Sequence, residues 1–149
     1  MLLAVSATSS DVLAKPGDQW LLQTSIYTRH YHHNPEHNNH QHLIGLERHW
    51  SGHWLAGASF FDNSFNQSTQ YVYGGYQFRP LESIPLMHVK ITGGVIHGYK
   101  GRYRDKIPLN TTGVAPAIVP AIGFSGKHVT GEVNFFGLAG VMFTMGVLF

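Results

Sequence analysis

The stretch Met87-His-Val-Lys-Ile-Thr-Gly-Gly-Val95 decides the fold. Its odd positions include Met87, Val89, Ile91 and Val95; its even positions are His88, Lys90, Thr92 and Gly94. A side-chain period of two is that of a β-strand with one apolar and one polar face. The alternation returns in Val129, Gly131, Val133 and Phe135, with His128, Thr130, Glu132 and Asn134 between them. It returns again in Val141, Phe143, Met145, Val147 and Phe149. Worked outward from these segments, the chain holds eight strands, near 20–30, 42–50, 54–62, 70–79, 86–98, 115–125, 128–136 and 140–149. Turn residues separate them at Ser51-Gly52, Arg79-Pro80, Ser125-Gly126 and Gly137. Each strand has about ten residues, enough to cross a bilayer when tilted.

Alternation does not say which face is inside. A soluble barrel turns its apolar face inward. A transmembrane barrel turns it outward, and must close because lipid satisfies no backbone group. Three features favour the membrane. Charged residues are 12% of the chain, against about 25% in ordinary soluble domains. Trp20, Trp50, Trp54 and Tyr99 fall near strand ends, where interfacial aromatics sit. Phe149 closes the last apolar alternation. The expectation is an all-β protein, an eight-stranded antiparallel transmembrane β-barrel over residues 15–149. Residues 1–14 precede it, and Met1-Leu-Leu-Ala-Val-Ser-Ala7 reads as the remains of an export signal. No run approaches the roughly 20 apolar residues of a membrane-spanning helix. The absence of cysteine excludes disulfides and thiolate metal sites. A net charge of +2 is too small to argue for nucleic acid. A closed barrel has no free edge, which permits a monomer.

Three clusters carry candidate chemistry. Six histidines fall between His30 and His42. Imidazole is a common metal ligand, but these spacings match no fixed motif, so no metal or other cofactor is assigned. The segment reads as a loop after the first strand, with His30 at the strand's edge. Phe61-Asp-Asn-Ser-Phe-Asn66 sets a carboxylate, an amide and a hydroxyl after the third strand, on the rim shared with His30. An imidazole near a hydroxyl is the minimum for base-assisted acyl transfer; an Asn/Ser turn is the plainer reading. Lys100, Arg102, Arg104 and Lys106 punctuate the loop after the fifth strand on the same rim, as cations that pair with lipid phosphates or as a solvated loop.

From Gly45 to Phe149 the sequence resembles the lipid A palmitoyltransferases of outer membranes, the PagP family, in its pseudomonad-type branch. The resemblance rests on Gly45-Leu46-Glu-Arg48 with Ser51-Gly52-His53-Trp54, on Phe61–Asn66, and on Phe78-Arg79-Pro80-Leu81. It is carried on by Ile107-Pro108-Leu109, by Pro120, and by Met142-Phe143 with Val147-Leu148-Phe149. Each motif is weak alone; their order and spacing make the whole specific. The resemblance implies an outer-membrane enzyme that moves a palmitoyl chain from a glycerophospholipid to a hydroxyl of lipid A. The family's histidine matches His30 and its serine matches Ser64. Its aspartate position holds Asn63, with Asp62 one residue earlier, so either Asp62 supplies the carboxylate or this branch works without one there.

The mechanism this implies uses His30 as general base on the acceptor hydroxyl, supported by Ser64, Asn63 and Asp62. Arg48, Lys100, Arg102 and Arg104 would face the phosphates of lipid A. Pro116 and Pro120, which cannot donate to a ladder, are candidates for a lateral gate. Gly57, Gly74, Gly75 and Gly94 are candidates to open space for the acyl chain. The competing expectation is a non-enzymatic barrel, structural, lipid-binding or carrying metal through His32, His33, His37, His40 and His42.

Overall fold

The computed structural model describes residues 18–30, 42–62, 67–98, 114–137 and 140–149. Eight strands appear where alternation places them: β1 (Gln19–His30), β2 (Ile44–His49), β3 (Trp54–Asp62), β4 (Ser68–Phe78), β5 (Met87–His97), β6 (Val114–Ser125), β7 (Val129–Phe135) and β8 (Gly140–Leu148). Each pairs antiparallel with its neighbours in sequence, and β1 closes on β8, so the sheet is a barrel. The shorter connections, at 50–53, 79–86 and 126–128, lie at one end, here called the inner rim. The ends of β1, β3 and β5 lie at the other, the outer rim.

The barrel is inside-out relative to a soluble protein. On β5, His88, Lys90 and Thr92 are buried while Ile91 and Val95 face outward and are exposed. Lys90 is 2% exposed and the outward Ile118 is 73% exposed. Large apolar side chains cover the outside of every strand, including Leu22, Leu46, Phe60, Val72, Ile122, Val129 and Phe143. Water would penalise such a surface heavily. Hydrocarbon does not, and closure of β1 on β8 pairs the two edges that an open sheet would leave to it. Trp20, Trp50 and Trp54 are exposed near the inner rim, where Tyr76 meets Trp54 edge-on at 5.1 Å and Phe78 at 6.1 Å. That is an interfacial aromatic girdle on the β1–β4 side.

Two departures from a regular ladder shape the outer half. The β1–β8 register shifts between Ser25 and Tyr27, leaving Ile26 as a bulge. Leu21, Gln23 and Ser25 face inward before it; Thr28 and His30 face inward after it. Strand lengths make the second departure. The β1–β2 ladder stops at Thr24–Ile44, where the Leu43 N–H donates to Ser25 Oγ at 3.0 Å instead. The β6–β7 ladder covers only Ala121–Ser125. Among the described residues, Ser25–His30 has no ladder on its β2 side and Val114–Pro120 none on its β7 side.

Candidate functional site

The interior divides into three layers. At the inner rim a small vestibule of about 250 Å³, open volume included, is lined by Gln19, Leu21, His49, Gln77, Glu132 and Leu148, among others. Above it lies a septum of ion pairs. Lys90 Nζ reaches Glu47 Oε1 at 2.9 Å and Glu132 Oε2 at 2.6 Å. The remaining carboxylate oxygens are held by histidines, His49 Nε2 on Glu47 Oε2 at 2.8 Å and His88 Nε2 on Glu132 Oε1 at 2.9 Å. Tyr73 donates its hydroxyl to Glu47 Oε1 at 2.8 Å, and Ser125 Oγ meets His88 Nδ1 at 3.0 Å. Six strands meet in this one network: β2, β5 and β7, β4 through Tyr73, β6 through Ser125, and β1 through Gln23, whose Nε2 donates to Glu47 Oε1 at 3.2 Å. Buried charges survive when paired and hydrogen-bonded, and here every carboxylate oxygen has a partner and the ammonium bridges both carboxylates.

Above the septum the lining turns apolar. Leu43, Phe61, Tyr71, Ile96, Ala117, Val119, Phe136 and Met142 enclose a cavity of about 560 Å³ counted with its open mouth. Its floor is Tyr73, Glu47 and Lys90. The two tyrosine rings stack at 4.6 Å, and Tyr71 Oη pairs with Thr92 Oγ1 at 3.1 Å. From Lys90 to Ile96 the cavity wall follows six residue-to-residue steps of β5. At the usual rise and barrel tilt that is roughly 15 Å.

His30 is carried to the outer rim on the inward face of β1, opposite Gly140. The neighbouring inward pair on the same two strands is Thr28 and Met142, and Met142 lines the cavity. Gly140 is needed there, because a side chain at that position would run into Arg29 and His30 backbone. Asp62 ends β3 at the same rim, but its side faces outward, by the alternation that sends Phe61 in. With β2 lying between β1 and β3, Asp62 and His30 are not brought side to side. Asn63, Ser64, Lys100, Arg102 and Arg104 lie outside the described residues, as do His32, His33, His37 and His40.

Two expectations are corrected. Arg48 belongs to the far end of the barrel: it pairs in register with Trp20, stacks over its ring at 5.0 Å and binds Asp18 at 2.9 Å. A headgroup at the His30 rim is out of its reach. The glycines named for acyl space do not provide it either. Gly57 makes room for Tyr73 and Glu47, while Gly75 and Gly94 allow close approach of neighbouring strands, and Gly74 faces outward. The cavity's room comes instead from Ala117 and Val119 on β6.

Pro116 and Pro120 sit on the outward face of β6, in the half of the strand that β7 does not pair. The Ser125 N–H donates to Leu86 on the β5 side. Backbone groups alternate sides along a strand, so even-numbered residues of β6 direct theirs toward β7. Both prolines therefore delete a donor on the unpaired side, which leaves Ile118 with the one N–H facing that gap between them. A lateral break costs fewest unmet hydrogen bonds where donors are already missing.

No family model matches the chain, and no curated protein matches it. Among solved structures it is similar to a barrel described as "De novo design of transmembrane beta-barrels", with a TM-score of 0.56 and 12% identity over 92% of this chain and 99% of that one. At that identity the likeness speaks for the fold. The protein is thus an eight-stranded antiparallel β-barrel of the transmembrane kind, with a closed inner half and a hollow outer half.

Proposed function

We propose that the protein is an outer-membrane acyltransferase that moves a palmitoyl chain from a glycerophospholipid to a hydroxyl of lipid A. One observation carries this reading: a blind apolar cavity opens beneath an inward histidine at the outer rim. Its depth of roughly 15 Å is half of a bilayer's roughly 30 Å hydrocarbon core, which is the span of one leaflet's acyl chain. The break at Pro116–Pro120 supports access from the side, so that the chain slides in from the leaflet without crossing water.

In this reading the acyl chain lies between Tyr71, Ile96, Val119 and Met142, and the septum stops its methyl end. The donor ester then rests at the rim. His30 takes the proton of the acceptor hydroxyl as its oxygen attacks the ester carbonyl. The carbonyl–oxygen bond to the glycerol breaks, and the leaving alkoxide regains a proton as lysophospholipid departs. Ser64 and Asn63 are the partners of His30 that the family resemblance implies. Asp62 faces the other side of the wall from His30. Substrates, location and monomeric state belong to the same proposal; it needs no cofactor.

The outward face of Asp62 favours one other reading, a barrel that binds lipid in this cavity without chemistry. Mass spectrometry of lipid A from cells with and without the chain separates the two. The expected result is a gain of one palmitoyl group with the native chain. With His30→Ala the gain falls by a hundredfold or more, the usual contribution of a general base, while the variant still migrates as a folded barrel. Unchanged lipid A alongside folded native protein rejects the enzyme.

A further inference from the structure

The cavity is not apolar on every side. Gln23 on β1, Asn134 on β7 and Thr144 on β8 line it together, on three strands that closure of the barrel makes neighbours. Gln23 reaches Glu47 and Tyr73. Asn134 pairs in register with Ala121, and Ala121 with Lys90. Thr144 pairs with Glu132. All three therefore stand at the floor, where the septum meets the cavity.

Each keeps a hydrogen-bonding atom that the protein does not use. Gln23 is 8% exposed, and its Nε2 donates to Glu47 Oε1 at 3.2 Å and to Tyr73 Oη at 3.4 Å. A carboxylate only accepts, so the amide must turn its N–H side to Glu47, and Oε1 is left over. Asn134 Nδ2 donates to the Met142 carbonyl at 3.3 Å and to Thr144 Oγ1 at 3.0 Å, which leaves its Oδ1. Thr144 is 4% exposed and accepts that bond, but its own O–H has no acceptor. Among the described residues no group of the protein bonds these three atoms. Buried polar atoms nearly always find partners, so three spare ones beside one cavity point to a ligand.

Their chemistry selects it. One donor and two acceptors suit a neutral hydroxyl, which brings one proton and two lone pairs. A carboxylate would find one donor and two buried carboxylates close by. A carbonyl would leave both acceptors unmet, and a methyl would leave all three atoms bare. The wall formed by Ile96, Ala117 and Val119 is aliphatic, so the hydroxyl arrives on a hydrocarbon chain.

We infer that the cavity floor is a hydroxyl subsite, and that the acyl chain it takes best carries a hydroxyl at its far end. The Thr144 O–H donates to that oxygen, and Gln23 Oε1 or Asn134 Oδ1 accepts its proton. This rests on the acyltransferase reading and names the acyl class the pocket selects. Palmitoyl fits the same space with the polar atoms uncovered.

The test uses the full-length barrel in detergent micelles. Glycerophospholipid donors whose transferable chain ends in a methyl or in a hydroxyl compete in pairs of equal length, over a series of lengths. At the best length the native protein favours the hydroxyl-ended chain by about tenfold in kcat/KM, the net worth of two neutral hydrogen bonds. Moving the hydroxyl next to the ester removes the advantage, because it then lies at the rim. Thr144→Val brings the ratio to within about twofold of unity, while Thr144→Ser keeps most of it; both variants migrate as folded barrels. Equal use of the two chains by the native protein means that water holds the spare atoms, and overturns the inference. A preference that ignores hydroxyl position, or that survives Thr144→Val, overturns it as well.

Should the native protein transfer no acyl group, the acyltransferase reading fails by itself and the subsite is judged by binding. The NMR signal of the Thr144 methyl is followed while a free fatty acid or its hydroxyl-ended counterpart is added. The hydroxyl-ended acid shifts it at about tenfold lower concentration, by the same two bonds. Equal titrations, or no shift with either acid, end the inference.

Discussion

The two halves of this barrel are built by opposite rules. Toward the inner rim the ladder is complete, the strands meet eight around, and the interior is filled by a charge network in which Lys90 bridges Glu47 and Glu132. Toward the outer rim two ladders stop early among the described residues, a bulge shifts the phase of β1, and the interior holds an apolar cavity. The difference assigns stability to one half and access to the other. Under the proposed function, in which lipid passes through the wall, the outer half can be left incomplete only if the rest of the circle holds shape without it.

The largest expected effect breaks the inner half. Lys90→Met removes the one cation between two buried carboxylates, and losing one partner of a buried ion pair costs about 3–5 kcal/mol. Urea unfolding in micelles should show a drop of at least that size. The triple change Glu47→Gln, Lys90→Met, Glu132→Gln should recover most of it, because it removes the uncompensated charge along with the bridge. If the single change is silent, the septum is not what holds the inner half.

Ala117→Phe sharpens the contrast from the other side. Ala117 lines the cavity on β6 and packs against its buried apolar side chains. Filling apolar void there should leave stability within about 1 kcal/mol of native. It should shift the transferred acyl group toward shorter chains, read by mass spectrometry across donors of graded length. The smallest effect belongs to Arg48→Gln. Its exposed ion pair with Asp18 and its stacking on Trp20 are worth about 1 kcal/mol or less in stability. Acyl transfer should not change at all, since Arg48 sits at the rim opposite His30.

Much of this was legible in the residues. Strand after strand is written in the alternation, and His88, Lys90 and Thr92 declare the polar side of β5. Which side faced lipid followed from the scarcity of charge and the placement of tryptophan. Pro116 and Pro120 fall in the part of β6 that has no β7 ladder among the described residues, and a missing N–H is a property of the residue itself. What stayed hidden was whatever depends on register. Nothing about Ile26 as a residue type marks it as a bulge; plain alternation from Leu21 would have turned His30 out toward lipid. Arg48 looked like a headgroup ligand because charge in sequence says nothing of which rim receives it. The septum also escaped, since Glu47, Lys90 and Glu132 are 43 and 42 residues apart and only barrel closure brings them together. Glycines suggested space, and here their smallness serves the approach of neighbouring strands instead.

The septum also has a meaning for the membrane that hosts the barrel. Under the proposed function, a tail that enters from one leaflet meets a floor halfway, and must leave by the side it came from. Such a protein can be abundant without scrambling lipids between two chemically different leaflets, and without opening a leak for the small solutes that an envelope is built to keep out.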